Sequence, residues 1–420
     1  MPQTLLFKDV HIFDGETEIP RGDVLVEDGV IKKVSTTPLD LPNGSTTVIF
    51  KPGHTLIPGI IDAHIHTHMD GAIALTQSLE FGVTTVCDMH NEKENIPNLR
   101  KLGAEDADAA DYKTASEGAT IADGWPEAVV TAHDKSEETK AKIATWPKLK
   151  TRDDVEAYIE DRVRDKVDYI KLMHEDGHGM IVKPAVPSLE LQKQIVEAAH
   201  AHGLIAVAHA TSLRATIDML EAGVDGLTHT FMDQTPTKEL IAAYQKNNAY
   251  CNPTLVAMGS LTKQGLKEQE AYAHDPRVQK LLPQAAQERL CRCMGLGNES
   301  ANAEHAYESV RQLKAAGIDI ILGSDSAGPA LGTAFGATIH QELATFVRKC
   351  GFTPLEALRA GTSLVAKRLG FPDRGRIAEG LRADLVLVEG NPLENIDRTL
   401  DLRGVWKQGV LCSAYTSVLA

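Results

Sequence analysis

The sequence has few aromatic residues, few cysteines and no long apolar run, and each shortage excludes a class of protein. Aromatic residues make up 5% of the 420 residues, and the six cysteines are scattered along the chain. A disulfide framework needs a denser cysteine pattern, so we expect reduced thiols and a cytoplasmic protein. No apolar run approaches the roughly 20 residues that span a bilayer, and the N-terminus does not resemble a secretory signal. We therefore expect no membrane partner.

Positive charge is also in short supply. Lys and Arg together number 43 against 58 for Asp and Glu, which gives a formal net charge of −15. A surface of this sign repels nucleic acid and anionic membranes, so we expect neither as a partner. The hydrophobic share of 43% and the charged share of 24% are ordinary for a globular protein with a large buried core.

The pattern of strands and helices divides the chain into two terminal parts and a central part. Both ends read as short strands separated by turn residues, as in LLFKDVHIFDG and ADLVLVEGNPL. The central part alternates apolar strands such as YIKLM with amphipathic helices such as SLELQKQIVEAAHAHG, which predicts parallel β-α-β units. We predict an α/β fold, with a (β/α)8 TIM barrel over residues 58–375 and a helical insertion around 260–316. Residues 1–57 and 376–420 are predicted to form one small β-sandwich domain.

Five predicted strands end in side chains that can bind a metal ion. Catalytic side chains gather at the carboxyl ends of the strands in a parallel barrel, so these side chains should meet. Although a single histidine at a strand end is usually structural, five such strand ends in one chain favour a metal site. Four imidazoles and one carboxylate suit Zn²⁺, with Mn²⁺, Fe²⁺ and Co²⁺ as alternatives. The candidate ligands are His64, His66, Lys171, His209, His229 and Asp325.

Lys171 is the unusual member of this set. An ammonium group has no lone pair and repels a cation, so a lysine binds metal only when its amine is neutral or has reacted with CO2. The resulting carbamate is anionic and can bridge two metal ions, which lie about 3.5–4 Å apart in two-metal sites. The ordinary alternative is an ion-paired lysine. Beside four histidines and an aspartate, the bridging carbamate is favoured.

The motifs around these residues resemble a known superfamily. DAHIHTH, YIKLM, VAHA, THT and GSDS occur in the order typical of binuclear-metal amidohydrolases. Longer segments, such as GFTPLEALRAGTSLVAKRLGFPDRGRIAEGLRADLVLVEGNPLENI, resemble the branch that holds Xaa-Pro dipeptidases, ochratoxinase-type carboxamidases and imidazolonepropionase-like hydrolases. The resemblance covers nearly the whole chain and implies a metal-dependent hydrolase that assembles as a homo-oligomer.

The resemblance also implies a role for each candidate ligand. His64 and His66 would bind the more buried zinc ion together with Asp325. Lys171, as a carbamate, would bridge to a second zinc ion held by His209 and His229. A hydroxide between the metal ions would attack the substrate carbonyl, and Asp325 would accept its proton and pass it to the leaving amine.

We therefore expect a hydrolase that cleaves the amide C–N bond of a small molecule such as a dipeptide, an N-acyl amino acid or a carboxamide. A lactone or ester hydrolase on the same site is an alternative, and so is a mononuclear deaminase or cyclic-amide hydrolase. One-metal deaminases dispense with the bridging lysine and place a glutamate soon after the histidine of the fifth strand. Here the first glutamate after His209 is Glu221. A non-catalytic scaffold is disfavoured because all six ligands are present.

A second zinc motif, H-E-x-x-H, occurs at His174–His178. In zinc proteases both histidines lie on one helix. Here the string directly follows a predicted strand and contains Gly177, and Pro184 follows soon after, so we predict a loop over the barrel mouth. Whether His174 or Glu175 contacts the substrate stays open.

Four further residues have open roles. Asp88 and His90 stand two apart at the end of a predicted strand, so both can face the pocket. Both depart from the small or neutral residue expected there from the resemblance. His340 and Glu342 lie in a predicted helix after Asp325, and they are candidates to support the metal ligands or to contact the substrate.

Overall fold

The computed structural model describes residues 4–41, 46–328 and 330–419, and its mixed helices and strands confirm the predicted α/β class. The strands are β1 (Thr4–Phe13), β2 (Glu18–Glu27), β3 (Val30–Ser35), β4 (Thr46–Phe50), β5 (His54–Pro58), β6 (Ile60–His66), β7 (Val83–Asp88), β8 (Asp111–Thr114), β9 (Ile170–Met173), β10 (Ala206–His209), β11 (Gly226–Thr228), β12 (Tyr250–Asn252), β13 (Ser326–Ala327), β14 (Leu385–Glu389), β15 (Leu402–Lys407) and β16 (Val410–Leu411).

The helices follow the strands through the central part of the chain. They are α1 (Gly71–Glu80), α2 (Ile96–Glu105), α3 (Glu127–His133), α4 (Glu137–Thr145), α5 (Arg152–Arg164), α6 (Leu189–Ala201), α7 (Leu213–Ala222), α8 (Lys238–Asn247), α9 (Leu255–Thr262), α10 (Leu266–Ala273), α11 (Pro276–Leu281), α12 (Gln284–Leu290), α13 (Ala303–Ala315), α14 (Ala337–Cys350), α15 (Pro354–Ala360) and α16 (Ser363–Leu369). Short 3₁₀ segments cover Lys93–Asn95, Ile396–Leu400 and Ser413–Leu419.

Strands from both ends of the chain share one sheet. Its order is β16-β15-β14-β5-β1-β2-β3, and β4 also pairs with β1. The two ends meet where β5 runs antiparallel to β14, with Pro58 opposite Leu385. Near this junction Trp406 is fully buried and packs edge-on against Phe7, with 4.9 Å between ring centroids. The association of the two termini is therefore present, while a separate sandwich domain bounded at residues 57 and 376 stays a prediction.

The central part contains two four-stranded sheets, β12-β11-β10-β9 and β13-β6-β7-β8. Every pairing within them is parallel, as the β-α-β pattern predicts. Single bridges link the sheets at both edges: Ala119, beyond β8, pairs with Leu172 of β9, and Cys251 of β12 pairs with Ile320. The carboxyl ends of these strands consequently lie on one side of the molecule.

The predicted strand IDIILGSD differs from the structure, which assigns strand only to Ser326–Ala327. The segment still lies between β12 and β6, because Ile321 N–H donates to Cys251 O at 2.9 Å and Leu322 O accepts from Ala63 N–H at 3.0 Å. A regular ladder does not continue through Asp325, whose φ of 53° is outside the extended region. A strand that ends at Asp325 was predicted, and the irregular backbone was not.

Helices α9 to α13 occupy most of Leu255–Ala315, where the helical insertion is predicted, and no strand lies among them. The six cysteines are free thiols, as predicted. Within the described ranges, every helix is too short or too polar to cross a membrane.

Candidate metal centre

Three of the predicted ligands form a tight cluster at the carboxyl end of β6. Asp325 Oδ1 lies 3.2 Å from His64 Nε2 and 3.3 Å from His66 Nε2, and the two Nε2 atoms are 3.2 Å apart. One ligand atom from each of the three residues lies within 4.8 Å of the others. Zinc–ligand bonds are about 2.0–2.2 Å long, so ligand atoms at this mutual spacing fit around one cation.

The other three predicted ligands lie beside this cluster. The His229 ring centroid is 4.8 Å from that of His64 and 4.7 Å from that of His209. Lys171 is only 1% exposed, and its Nζ donates to the hydroxyl of Thr228. All six side chains line one cavity. The structure therefore brings together every residue that the strand-end argument selected.

Burial favours the neutral forms of Lys171 and of three candidate histidines of the site. Desolvation lowers the pKa of Lys171 to about 7, although the charge of Asp325 opposes the shift. Desolvation, followed by the nearby charge of Lys171, holds the pKa of His64 and of His209 well below the ordinary value. Desolvation likewise lowers the pKa of His229, against the effect of Asp325. Neutral imidazoles offer lone pairs, which cations require.

Asp325 and His229 share an unusual backbone conformation. Their φ angles are 53° and 78°, and Thr254, whose Oγ1 lies 2.7 Å from His229 Nδ1, has a φ of 47°. Such left-handed conformations are strained for non-glycine residues and cluster at functional sites. Burial raises the pKa of Asp325, but the charge of His229 and the hydrogen bond with His66 outweigh it, so the pKa lies below the ordinary value. The carboxylate is therefore anionic at neutral pH.

This donor set fits divalent cations. His64 and His66 direct Nε2 at the same carboxylate oxygen, which places two imidazoles and one anion around a single point. His64 Nδ1 is buried and has no hydrogen-bond partner among the described residues. Imidazole and carboxylate are the ligands that Zn²⁺ takes in hydrolytic sites.

Glu175, which sequence reasoning left without a role, positions His209. Its Oε2 lies 3.0 Å from His209 Nε2 and accepts the Thr211 hydroxyl at 2.6 Å, while Oε1 accepts Gly177 N–H at 2.7 Å. Trp125 stacks on the His209 ring with 4.8 Å between centroids. With Nε2 engaged by the carboxylate, Nδ1 of His209 is the nitrogen left for a cation. The only signal in the sequence was the place of this glutamate directly after β9.

The H-E-x-x-H string lies in a loop, as predicted, because β9 ends at Met173 and the next helix begins at Leu189. His174 turns toward helix α6, where its Nδ1 lies 3.4 Å from Gln192 Nε2. Neither His174 nor Glu175 is among the described residues that line the cavity. The string is therefore no protease site, and its central glutamate acts through His209.

Of the two residues that end the second predicted strand, only His90 lines the cavity. Its Nδ1 accepts Gly118 N–H at 3.0 Å. Asp88 is fully buried beside the cavity and accepts hydrogen bonds of 2.8 Å from both Asn91 Nδ2 and the Tyr112 hydroxyl. Asp88 thus stabilises the strand end, and His90 faces the ligand space.

His340 and Glu342 lie away from the cavity. His340 Nε2 is 2.9 Å from Phe81 O, and its Nδ1 is 2.9 Å from Thr399 Oγ1. Glu342 accepts the first two N–H groups of α9, at 2.7 and 2.8 Å. Both residues join helix α14 to its neighbours, so substrate contact is not their role.

The cavity in front of the candidate ligands has a volume of about 550 Å³. This volume is within the range of about 300–1,000 Å³ that small-molecule sites occupy. Helices α3 and α4 cover one side, and the lining side chains are mainly apolar and rich in methionine and tryptophan. The cavity therefore has the size of a small substrate.

Comparison with known proteins identifies the family. A model described as "Amidohydrolase family" matches residues 55–412. The chain belongs to the amidohydrolase family. Imidazolonepropionase of Deinococcus deserti is 26% identical to this amidohydrolase over 257 residues, which is 60% of the chain and 53% of the relative. Ochratoxinase of Aspergillus niger is 38% identical over 101 residues, 23% of the chain and 20% of the relative. The chain spans about half or less of the length of these relatives.

Solved structures show that the fold is shared along the whole amidohydrolase chain. A Xaa-Pro dipeptidase with bound methionine superposes with a TM-score of 0.76 at 20% identity, covering 97% of this chain and 99% of that one. The predicted resemblance to amidohydrolases is confirmed by the family match, and the similar proteins include an imidazolonepropionase and an ochratoxinase.

Proposed function

We propose that this amidohydrolase cleaves amide C–N bonds of small molecules with two bound divalent cations, most suitably Zn²⁺. The observation that carries the proposal is the convergence of four imidazoles, one anionic aspartate and one buried lysine on a single small-molecule cavity. The names of the relatives support the same reaction class, since a Xaa-Pro dipeptidase acts on a dipeptide.

The proposal includes a closed (β/α)8 barrel as the scaffold. Strands β6 to β12 and residues 319–325 give eight parallel segments, and the bridges at Ala119 and Cys251 support closure of the ring at both sheet edges. In such a barrel the carboxyl ends of the strands carry the catalytic residues. The six candidate ligands lie at those ends.

Two groups of ligands would hold the cations. His64, His66 and Asp325 would hold one, and His209 and His229 the second. Lys171 would bridge them as a carbamate formed with CO2. Carbamate formation needs a neutral amine, and burial lowers the pKa of Lys171 to about 7. The Thr228 hydroxyl, now an acceptor for Nζ, can turn to donate to the carbamate.

Asp325 would move the proton that amide cleavage requires. Bound cations of this type polarise the carbonyl and lower the pKa of water from 15.7 towards about 7. Asp325 would accept a proton from the attacking water and hand it to the amide nitrogen, which leaves as an amine. Its anionic state and its place beside both groups of histidines suit that role. The apolar walls would exclude further water.

Ester or lactone cleavage on the same residues is a second candidate, because the proton-transfer geometry is the same. The one-metal deaminase is not favoured. Glu221 lies at the exposed end of α7 and is not among the described cavity residues, while the buried Lys171 is.

A substrate panel on zinc-loaded protein tests the proposal. We expect hydrolysis of amides, loss of activity with a chelator, and a fall in kcat of about 10²–10⁴ for Asp325→Asn. Glu221→Gln serves as the control, and its activity should be unchanged. Full activity in a metal-free preparation would exclude the proposed chemistry, and turnover of esters alone would assign the second candidate.

A further inference from the structure

The inner walls of the cavity are mainly apolar, and besides the candidate metal ligands the polar side chains His68, His90 and Thr211 also line them. Trp125 lies flat against His209, and Met173 and Met180 are buried beside it. Trp146 and Ile143, at the end of α4, face the same space. A polar group that enters such a space without a partner loses its hydration and gains nothing in return. The part of a substrate that packs against the tryptophans and methionines is therefore apolar, while His90 Nε2, which is buried and has no hydrogen-bond partner among the described residues, can meet one polar group.

The charges around the cavity are unfavourable to an anion. Apart from the candidate metal ligands, the charged lining residues are Glu92, Asp134, Glu138 and Lys142. Lys142 Nζ lies 3.2 Å from Glu138 Oε1, so the one cation of this group stands beside an acidic side chain that offsets its charge. No arginine lines the cavity in the part of the chain that the structure describes. A bidentate guanidinium, the usual partner of a substrate carboxylate, is missing from this lining.

We propose that the cavity takes neutral amides with an apolar group of aromatic size, of which N-aryl amides are the simplest, and rejects amides whose amine part carries a free carboxylate. The inference rests on the proposed amide hydrolysis and narrows its substrate class. Hydrolysis consumes one water: the acyl carbon gains the hydroxyl, the C–N bond breaks, and the nitrogen gains the proton. The products at neutral pH are the carboxylate of the acyl part, one released proton and a neutral arylamine. Dipeptides and N-acyl amino acids fall outside this class.

A matched pair of substrates tests the inference on zinc-loaded enzyme. The compounds 4-acetamidobenzamide and 4-acetamidobenzoate share the scissile bond and the ring, and differ mainly in charge. We expect kcat/KM to be at least about tenfold higher for the neutral compound. The difference should lie in KM rather than in kcat, because the anion lacks a partner at the rim. Equal or faster turnover of the carboxylate would overturn the inference and leave amide hydrolysis standing.

Binding gives a readout that does not need turnover. Calorimetric titration of the Asp325→Asn variant with both compounds should show tighter binding of the neutral one by a similar factor. If no amide is hydrolysed by the wild-type enzyme, the proposed function fails, and this titration still decides the charge preference. Equal binding of the carboxylate would contradict the inference.

Two positions at the cavity mouth provide matched variants. Met69 lines the mouth and is 61% exposed, so an arginine there need not be buried. Met69→Arg should reduce the discrimination against 4-acetamidobenzoate at least about fivefold, and Met69→Leu should not. Lys142→Met should leave the discrimination unchanged. The inference would be overturned if Met69→Arg discriminated against 4-acetamidobenzoate as strongly as the wild type does. It would also be overturned if Lys142→Met lost affinity for the carboxylate compound alone.

Discussion

The orientation of His209 by Glu175 gives the sharpest prediction of the account. In Glu175→Gln the amide oxygen can still accept from His209 Nε2, 3.0 Å away in the native structure. The same amide oxygen then accepts the Thr211 hydroxyl, and the amide NH2 faces Gly177 N–H, a donor that needs an acceptor. Changes to the hydrogen-bond partner of a metal-binding histidine typically cost 10–100-fold in metal affinity. We expect Glu175→Gln to lose zinc affinity by this factor, which corresponds to about 1.4–2.7 kcal/mol of binding free energy.

The same variant should also lose stability. One buried donor without an acceptor costs about 1–3 kcal/mol. Metal-free Glu175→Gln should therefore unfold at a lower denaturant concentration than the metal-free wild type, with an unchanged slope. The unfolding of the metal-free protein reports damage to the loop itself. The zinc affinity reports the weakened metal ligand.

Competition with a chromophoric chelator measures the zinc affinity directly. Asp176→Asn is the matched control: its Oδ2 accepts the Ser212 hydroxyl at 2.6 Å, one residue further along the same loop, and no predicted ligand is among its hydrogen-bond partners. We expect Asp176→Asn to bind zinc like the wild type. An unchanged zinc affinity in Glu175→Gln, or an equal loss in both variants, would refute the positioning role.

Three further predictions concern single side chains. Lys171→Met should bind at most one zinc ion per chain in elemental analysis, because the bridge between the two cations is lost. Two zinc ions per chain in this variant would contradict the bridging role of a Lys171 carbamate. After removal of metal and CO2, reactivation at fixed dissolved CO2 should quicken as pH rises through about 7, because burial lowers the pKa of Lys171 to about 7 and only the neutral amine reacts; a flat profile would argue against this route. His340→Leu should lower the free energy of unfolding by about 1–3 kcal/mol, since Phe81 O loses its partner. Its KM should stay unchanged, and an altered KM would place His340 at the site.

The sequence was most informative where the position of a residue follows from the alternation of side chains along a strand or from the end of a strand. His64 and His66 share a face because side chains alternate along a strand, and His209 ends β10 as the apolar run predicted. The carboxyl ends of parallel strands meet, so the six-residue set followed without any knowledge of loops.

The remaining features depend on packing between distant segments, which no local pattern encodes. The bond from Glu175 to His209 spans 34 positions, and the left-handed backbone at Asp325 arises where the chain leaves its regular pairing. The sequences of helices α3 and α4 carry no motif that marks a cover, and only the structure shows that they line the cavity. Homo-oligomeric assembly, cytoplasmic location and the domain bounds stay predictions for the same reason.

Anomalous diffraction from zinc-loaded crystals shows whether Lys171 joins two cations in one site. We expect two zinc peaks about 3.5–4 Å apart, with Lys171 extended by a carbamate that contacts both. His64, His66 and Asp325 should surround one peak. A single peak with Lys171 as a free amine bonded to Thr228, or zinc bound elsewhere on the chain, would contradict it.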